Sequence, residues 1–270
     1  MSLEGGWGRF GLRPLAALLP HEETIPAEIK RVSDELLRDA MQRDPLIVDA
    51  ENGVVLDGMH RLAALSRLGL QYAVCFSVDY GSARISVRRW ARVYTLPTGR
   101  GFAGAVENAG LSQTSSVEAI NSLETRRRPV AALSHSKCYV AKEGDLETGL
   151  GMVRALDIVS ESSGWKRTFV PEDEIDVPLQ EERNLVVLVA RLRKSDVISA
   201  ARRKVLFPCK TSMHVLDPRP VGVNVPLDEL RDGSKKTIES RLRSPHKLLP
   251  ANSSHGGRRY KERLVVFGPS

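Results

Sequence analysis

The sequence predicts an α+β protein of two domains, and three observations lead there. Short β-branched runs and amphipathic helical patterns alternate through roughly the first third of the chain, as "LIVDA", "VVL" and "YAVCFSV" around "HRLAALSRLG". A stretch rich in small residues at 97–116, "PTGRGFAGAVENAGLSQTSS", then breaks the pattern. Beyond it strand-like runs resume with two further helical patterns. The expected domains are residues 1–96 and residues 97–270, the second a mixed α/β domain. A chain of 270 residues is long enough for two such cores.

Residues 1–14 read as a loose, glycine-rich lead-in, and Leu15–Leu19 as a short strand or turn. Residues 26–43 carry Ile29, Val32, Leu36, Leu37 and Ala40 at spacings of three to four, which predicts a helix opened by Pro26 and closed before Asp44-Pro45. Asn52-Gly53 between two β-branched runs predicts a hairpin joining 46–50 to 54–56. Gly58 ends the second strand, and Leu62, Leu65 and Leu68 form the buried side of a helix stopped by Gly69. Residues 72–80 and 83–96 follow as extended elements. The 97–116 stretch reads as a boundary or mobile loop. Residues 146–162 and 194–204 read as helices, the latter capped by Ser195. The segments "KCYVAKE", "RTFVPEDE" and "RNLVVLVARL" read as strands, 205–220 as a strand entering a loop, and the tail as polar with a strand-like end.

Composition narrows the function. Hydrophobic residues at 41% and charged residues at 27% are those of a folded globular chain. No apolar run approaches the roughly 18 residues that span a bilayer, and the N-terminal stretch does not read as a secretion signal. Cys75, Cys138 and Cys209 are odd in number and widely spaced. They fit no common zinc pattern and point to a reducing compartment, hence the cytoplasm. A net charge of +7 favours an anionic partner, nucleic acid or a nucleotide. The basic clusters 125–129, 201–204 and 256–263 are short and scattered, as on a solvated surface, and aromatics at 5% give no stacking platform for single strands.

The stretch "VVLDGMHRLAALSRLG" at 54–69 carries the most chemistry. It passes from strand to helix through one glycine, with Asp57, His60 and Arg61 at the junction. A helix start presents unpaired N–H groups and a positive dipole end, which suit an anion. Arg61 adds a bidentate phosphate donor, and His60 can donate or relay a proton. Asp57 is suited to capping, metal binding or proton acceptance. The plainer alternative is that Asp57 only caps the helix and Arg61 only makes a surface ion pair.

"LDGMHRLAAL" resembles the DGxHRxxA signature of the ParB/sulfiredoxin-like fold, in which this turn holds nucleotide phosphates. Sulfiredoxins need a cysteine directly before the histidine, and Met59 stands there instead. Partition proteins of the ParB type continue into helix-turn-helix segments, which the strand-rich downstream sequence lacks. The free serine kinases fit better: "LLPHEE" at 18–23 resembles their PHE stretch, "FPCKTSMH" at 207–214 resembles their late SPKTTRH motif, and Trp90 stands at about the spacing of a family tryptophan. Three motifs in the same order span roughly residues 15–216; residues 97–200 match no motif.

The resemblance implies a ParB/sulfiredoxin-like nucleotide-binding first domain, with the second supplying the 207–214 substrate loop. It implies phosphoryl transfer from ADP or ATP, with Mg2+, to the hydroxyl of a small free amino acid, L-serine first among them. Glu22 would take the hydroxyl proton, and Asp57 would support that base or help hold the metal. Gly58, Met59, His60, Arg61, Lys210 and Thr211 would bind the nucleotide, and Trp90, Ser212 and His214 the acceptor. The plain reading of Glu22 is a surface acid beside Glu23, and of 210–212 a polar turn. Met213 replaces the family arginine suited to a substrate carboxylate, so L-threonine or another small hydroxylated metabolite remains open as acceptor. A nucleotide-gated DNA-binding protein of the ParB kind is the competing expectation.

Overall fold

The computed structural model describes residues 8–97, 101–234, 236–243 and 246–267. They form two compact units: one holds the residues to Ser86, Lys194–Cys209 and the residues from His214 on, the other Val87–Arg193 and Lys210–Met213. This division differs from a boundary at 96/97. The last third of the chain returns to the first unit because its backbone pairs there: Leu227 N–H donates to the Ala40 carbonyl, and Asn224 N–H to that of Arg43.

The first unit opens with β1 (Gly8–Pro14), a short 3-10 turn at Leu15–Ala17 and α1 (Pro26–Asp39). There follow β2 (Met41–Gln42), β3 (Leu46–Asp49), β4 (Val55–Asp57), α2 (Met59–Arg67) and β5 (Tyr72–Val78). The sheet order is β1-β5-β3-β4. β3 runs parallel to β5 and antiparallel to β4, so α2 lies in the crossover that returns the chain to β5. The four residues of β3 are all buried, as a strand covered on both faces requires.

Two corrections arise here. The segment expected as a loose lead-in contains β1, whose seven residues pair antiparallel with β5 from Gly8↔Val78 to Pro14↔Tyr72. The α1 helix stops at Asp39, ahead of the expected 43, because Ala40 adopts a left-handed conformation at φ 52° and Met41–Gln42 leave to form β2.

The second unit is built on β6 (Ile85–Thr95), α3 (Ala103–Asn108), β7 (Leu111–Thr114), α4 (Ser116–Glu124), β8 (Val130–Leu133) and β9 (Cys138–Ala141). It continues through α5 (Leu146–Ser162), β10 (Lys166–Pro171), α6 (Asp176–Leu179) and β11 (Asn184–Val189). The strand order is β10-β6-β11-β8-β9-β7. Ala119 and Leu123 of α4 bury one face against Ala91, Val93, Ala131, Leu133, Val186 and Leu188. The stretch expected as a loop at 97–116 thus includes α3 and β7; residues 98–100 lie outside the described residues.

The remaining elements are α7 (Lys194–Arg203), β12 (Ser212–Leu216), β13 (Arg219–Val221), β14 (Val225–Pro226), α8 (Leu227–Asp232) and α9 (Lys236–Arg243). The chain closes with β15 (Lys247–Leu249), β16 (Ser254–His255), β17 (Arg258–Arg259) and β18 (Leu264–Val266). Ser195 is the second residue of α7 rather than its cap. β14 pairs with β2, and β18 lies between β13 and β15.

Candidate functional site

The strand-to-helix turn is shaped by one glycine. Gly58 sits at φ 103°, and a Cβ there would lie 2.5 Å from a methyl of the fully buried Leu46. The helix starts at once, Leu62 N–H donating to the Gly58 carbonyl at 2.8 Å. Met59 is buried and contributes to the core, so only its backbone is suited to a ligand.

The two polar side chains of the turn have structural duties. Arg61 donates through Nη1 to the Asp44 and Pro45 carbonyls at 2.8 and 2.7 Å, and through Nη2 to Asp57 at 3.3 Å. His60 Nε2 accepts the Ile25 N–H at 3.0 Å, so the neutral ring carries its proton on Nδ1. Ile25 is the residue before α1, and the imidazole thereby satisfies one of the orphan donors of that helix start.

Asp57 closes β4 amid guanidinium groups. Its Oδ2 accepts from Arg61 and, at 3.1 Å, from Arg219 Nη1, while Arg258 Nη1 lies 4.0 Å from Oδ1. Arg219 is buried; it also donates to the Glu262 carboxylate and to the His214 carbonyl, the latter at 2.7 Å. Burial opposes the Arg219 charge, but Asp57 and Glu262 outweigh it and raise its pKa. Three cations around Asp57 disfavour a divalent metal on that carboxylate. Among the described residues no group of three or more His, Cys, Asp or Glu side chains is arranged to hold a metal ion.

Glu22 belongs to the same unit as Asp57. The Phe207 N–H donates to the His21 carbonyl and the Glu23 N–H to the Phe207 carbonyl, both at 2.8 Å, which sets the "PHE" segment alongside the late chain. Glu22 is only 8% exposed, against the plain expectation of a surface acid. Its Oε1 lies 3.8 Å from His21 Nε2. His21 Nδ1 is 2.7 Å from the Val55 carbonyl and must be the donor, leaving Nε2 as the basic nitrogen.

The His21 and His214 rings meet edge to face at 5.4 Å, and His214 Nε2 lies 2.7 Å from the Tyr80 hydroxyl. Burial lowers the His21 pKa against the opposing pull of Glu22, and lowers that of His214 further, with His21 adding to the fall. Burial also raises the Tyr80 pKa, so the phenol keeps its proton and donates it to His214. Tyr80, His214 and His21 thus form an uncharged buried row ending at the Glu22 carboxylate.

The other motif residues belong to the second unit. Trp90, in β6, donates its backbone N–H to the Thr211 carbonyl at 3.2 Å, and Lys210 Nζ stands 5.1 Å from the centre of the Trp90 ring. Lys210 adopts φ 55°. Thr211 and Ser212 are buried, and Arg92 Nη2 reaches Thr211 Oγ1 at 3.4 Å. A cavity of about 460 Å³ elsewhere in this unit is lined by Ser115, Ser134, Lys137, Cys138 and Asp176 among others, and by none of the motif residues.

The structure therefore gathers Glu22, Asp57, Gly58, His60, Arg61 and His214 in one unit, and Trp90, Lys210, Thr211 and Ser212 in the other. Sequence reasoning missed Tyr80, Tyr260, Glu262 and Arg258. The one available signal was the basic cluster "GGRRYKER" with an aromatic inside it.

No family model matches the chain. It is similar to an ATP-dependent L-serine kinase of Staphylothermus marinus, 25% identical over an aligned length of 227, with 79% of this chain and 88% of the relative covered. An ADP-dependent L-serine kinase of Thermococcus kodakarensis is also 25% identical, over 80% of this chain and 90% of the relative. Among solved structures, a free serine kinase variant in complex with AMP superposes with a TM-score of 0.71 at 22% identity, covering 85% of this chain and 97% of that one. The likeness shows the fold, an α+β architecture of the ParB/sulfiredoxin-like class. Among the described residues no helix is long and apolar enough to cross a membrane.

Proposed function

We propose that the chain, similar over most of its length to free L-serine kinases, is itself such a kinase and transfers a phosphoryl group from ADP or ATP to the hydroxyl of free L-serine, giving O-phospho-L-serine. The observation that carries this reading is the placement of Glu22. A carboxylate from near the start of the chain is buried beside His21, in the same unit as the Gly58 turn and His214.

In this reading Glu22 takes the proton of the acceptor hydroxyl as the acceptor oxygen attacks the terminal phosphorus of the donor; the bond from that phosphorus to its bridging oxygen breaks, and AMP leaves from ADP or ADP from ATP. A carboxylate within hydrogen-bond reach can do this without itself bonding to phosphorus. The neutral row behind Glu22 keeps water from the inner side of the base. The backbone of the Gly58 turn offers N–H groups to the donor phosphates, with no Cβ in the way. Arg61 and His60 act one step removed: they fix the turn to Asp44, Pro45 and Ile25. His214, in the same unit as Glu22, serves the acceptor. Mg2+ would enter on the donor's phosphates, the usual mode for an ion that keeps much of its water, rather than in a protein cage at Asp57. Such a reaction belongs in the cytoplasm, where nucleotide and free amino acid meet.

Purified protein incubated with ATP or ADP, Mg2+ and each of L-serine, L-threonine and homoserine, followed by phosphorus NMR, tests the proposal. The expected result is a phosphomonoester signal with L-serine. Nucleotide binding without a product from any acceptor would overturn it.

A further inference from the structure

The C-terminal hairpin brings to Asp57 a cation that none of the family motifs contains. In β16 and β17 Ser254 pairs with Arg259 and His255 with Arg258. Gly256 and Gly257 at φ 57° and 77° make the two-residue reversal that joins them. The hairpin is seated on the first unit's turn region: His255 Nε2 lies 3.9 Å from Asp44 Oδ1, and Arg258 Nη1 lies 4.0 Å from Asp57 Oδ1. The Arg258 guanidinium also lies 4.7 Å from the centre of the Tyr260 ring, which holds it in place at low entropic cost.

The three guanidiniums near Asp57 are differently engaged. Arg219 is buried, with its donors spent on Glu262, Asp57 and the His214 carbonyl. Arg61 is spent on two carbonyls and Asp57. Arg258 stands at the limit of ion-pair distance from Asp57, and its side chain is 46% exposed. Asp57 is met by the guanidiniums of Arg61, Arg219 and Arg258, and Glu262 by Arg219, while the Asp44 carboxylate lies against His255 of the same hairpin. Of the three guanidiniums, Arg258 has the most solvent access. A planar fork with open donors matches two oxygens of a phosphate.

We propose that Arg258 binds the phosphates of the donor beyond the first, including the phosphoryl group that is transferred, and so takes the part that the sequence motif assigns to Arg61. The inference rests on the kinase reading for the identity of the ligand. It makes no covalent demand on Arg258: the guanidinium hydrogen-bonds oxygens whose negative charge is redistributed during transfer.

Calorimetric titration of AMP and of ADP into the wild-type protein, Arg258→Ala, Arg258→Lys and Arg259→Ala tests this. Arg259 is adjacent on the strand and points to the opposite face. Expected is a loss of ADP affinity of about ten- to hundredfold in Arg258→Ala, as for one charge-assisted hydrogen bond. AMP affinity should stay within about twofold, Arg258→Lys should lie between, and Arg259→Ala should match wild type. Equal losses for AMP and ADP, no loss for either, or the same ADP loss in Arg259→Ala would each overturn the assignment. Should Arg258→Ala misfold, the Lys variant alone decides, by whether its ADP-to-AMP affinity ratio falls. Binding is read without an acceptor. A protein that prefers ADP through Arg258 yet phosphorylates no amino acid would refute the kinase reading and leave this one standing.

Discussion

Replacing Arg219 by methionine should destabilise the first unit severely, and the size of the effect follows from what the guanidinium touches. Arg219 is 3% exposed and donates to Glu262, itself 8% exposed, to Asp57 and to the His214 carbonyl. Removing one member of a buried ion pair strands the other in a poorly solvating interior, at about 3–5 kcal/mol. That is a large share of the roughly 5–15 kcal/mol by which a protein of this kind is stable. At about 2–4 °C per kcal/mol, the melting temperature should fall by roughly 6–20 °C. Asp57 should contribute less to the loss, because it keeps Arg61 and is partly exposed. The assay is urea unfolding alongside thermal melts, with Arg219→Met/Glu262→Gln as second variant. Neutralising the stranded carboxylate should recover at least about half of the loss, since exchanging a whole buried pair is far less costly than breaking it. A single variant within about 1 kcal/mol of wild type, or a double variant no better than the single, would refute the reasoning.

Further outcomes follow from the same structure. Gly58→Ala should cost about 2–4 kcal/mol in urea unfolding, because the new methyl would meet a Leu46 methyl at 2.5 Å and the backbone sits at φ 103°. A loss below about 0.5 kcal/mol would contradict this. His21 and His214 both have pKa values lowered by burial, so below about pH 6.5 the unfolded chain takes up protons that the folded one refuses. Stability is therefore full above that pH and falls as the pH drops, by up to about 1.4 kcal/mol per pH unit for each histidine. Unfolding curves from pH 7.5 to 5 check this, and a His21→Gln/His214→Gln variant should show a flatter profile. Burial pushes the Cys75 thiol up to about 12, so at pH 8 iodoacetamide should leave it unmodified in the folded protein and label it in urea, as read by mass spectrometry.

Local patterns carried much of the fold. Residues 146–162 were legible as a helix because apolar positions recur at helical spacing and Asp145 caps the Thr148 N–H. The hairpin around Asn52-Gly53 and the strand-to-helix passage at Gly58 rest on turn chemistry that is local too. β1 was not legible: its partner lies some sixty residues on, and a glycine-rich edge strand has no periodicity of its own. α4 was legible but unread, as Ser115 followed by Glu118 is a capping pattern and the Ser115 hydroxyl does accept the Glu118 N–H. For the candidate site, motif spacing named Glu22, Asp57, His60 and His214, which share one unit, yet it could not tell a ligand-facing side chain from a bracing one. That distinction depends on contacts 16 to 35 positions away, Arg61 with Pro45 and His60 with Ile25. Arg258 was hidden for the same reason, since a basic cluster on a hairpin shows its direction only when the strands pair.

The account turns on Glu22 acting as the proton acceptor. Its most direct test compares Glu22→Gln with wild type in two measurements on one preparation, nucleotide affinity by calorimetry and O-phosphoserine formation by phosphorus NMR. Loss of the base should slow turnover by about a hundredfold or more while nucleotide affinity stays within about threefold. A Gln variant that phosphorylates L-serine at the wild-type rate would contradict the account.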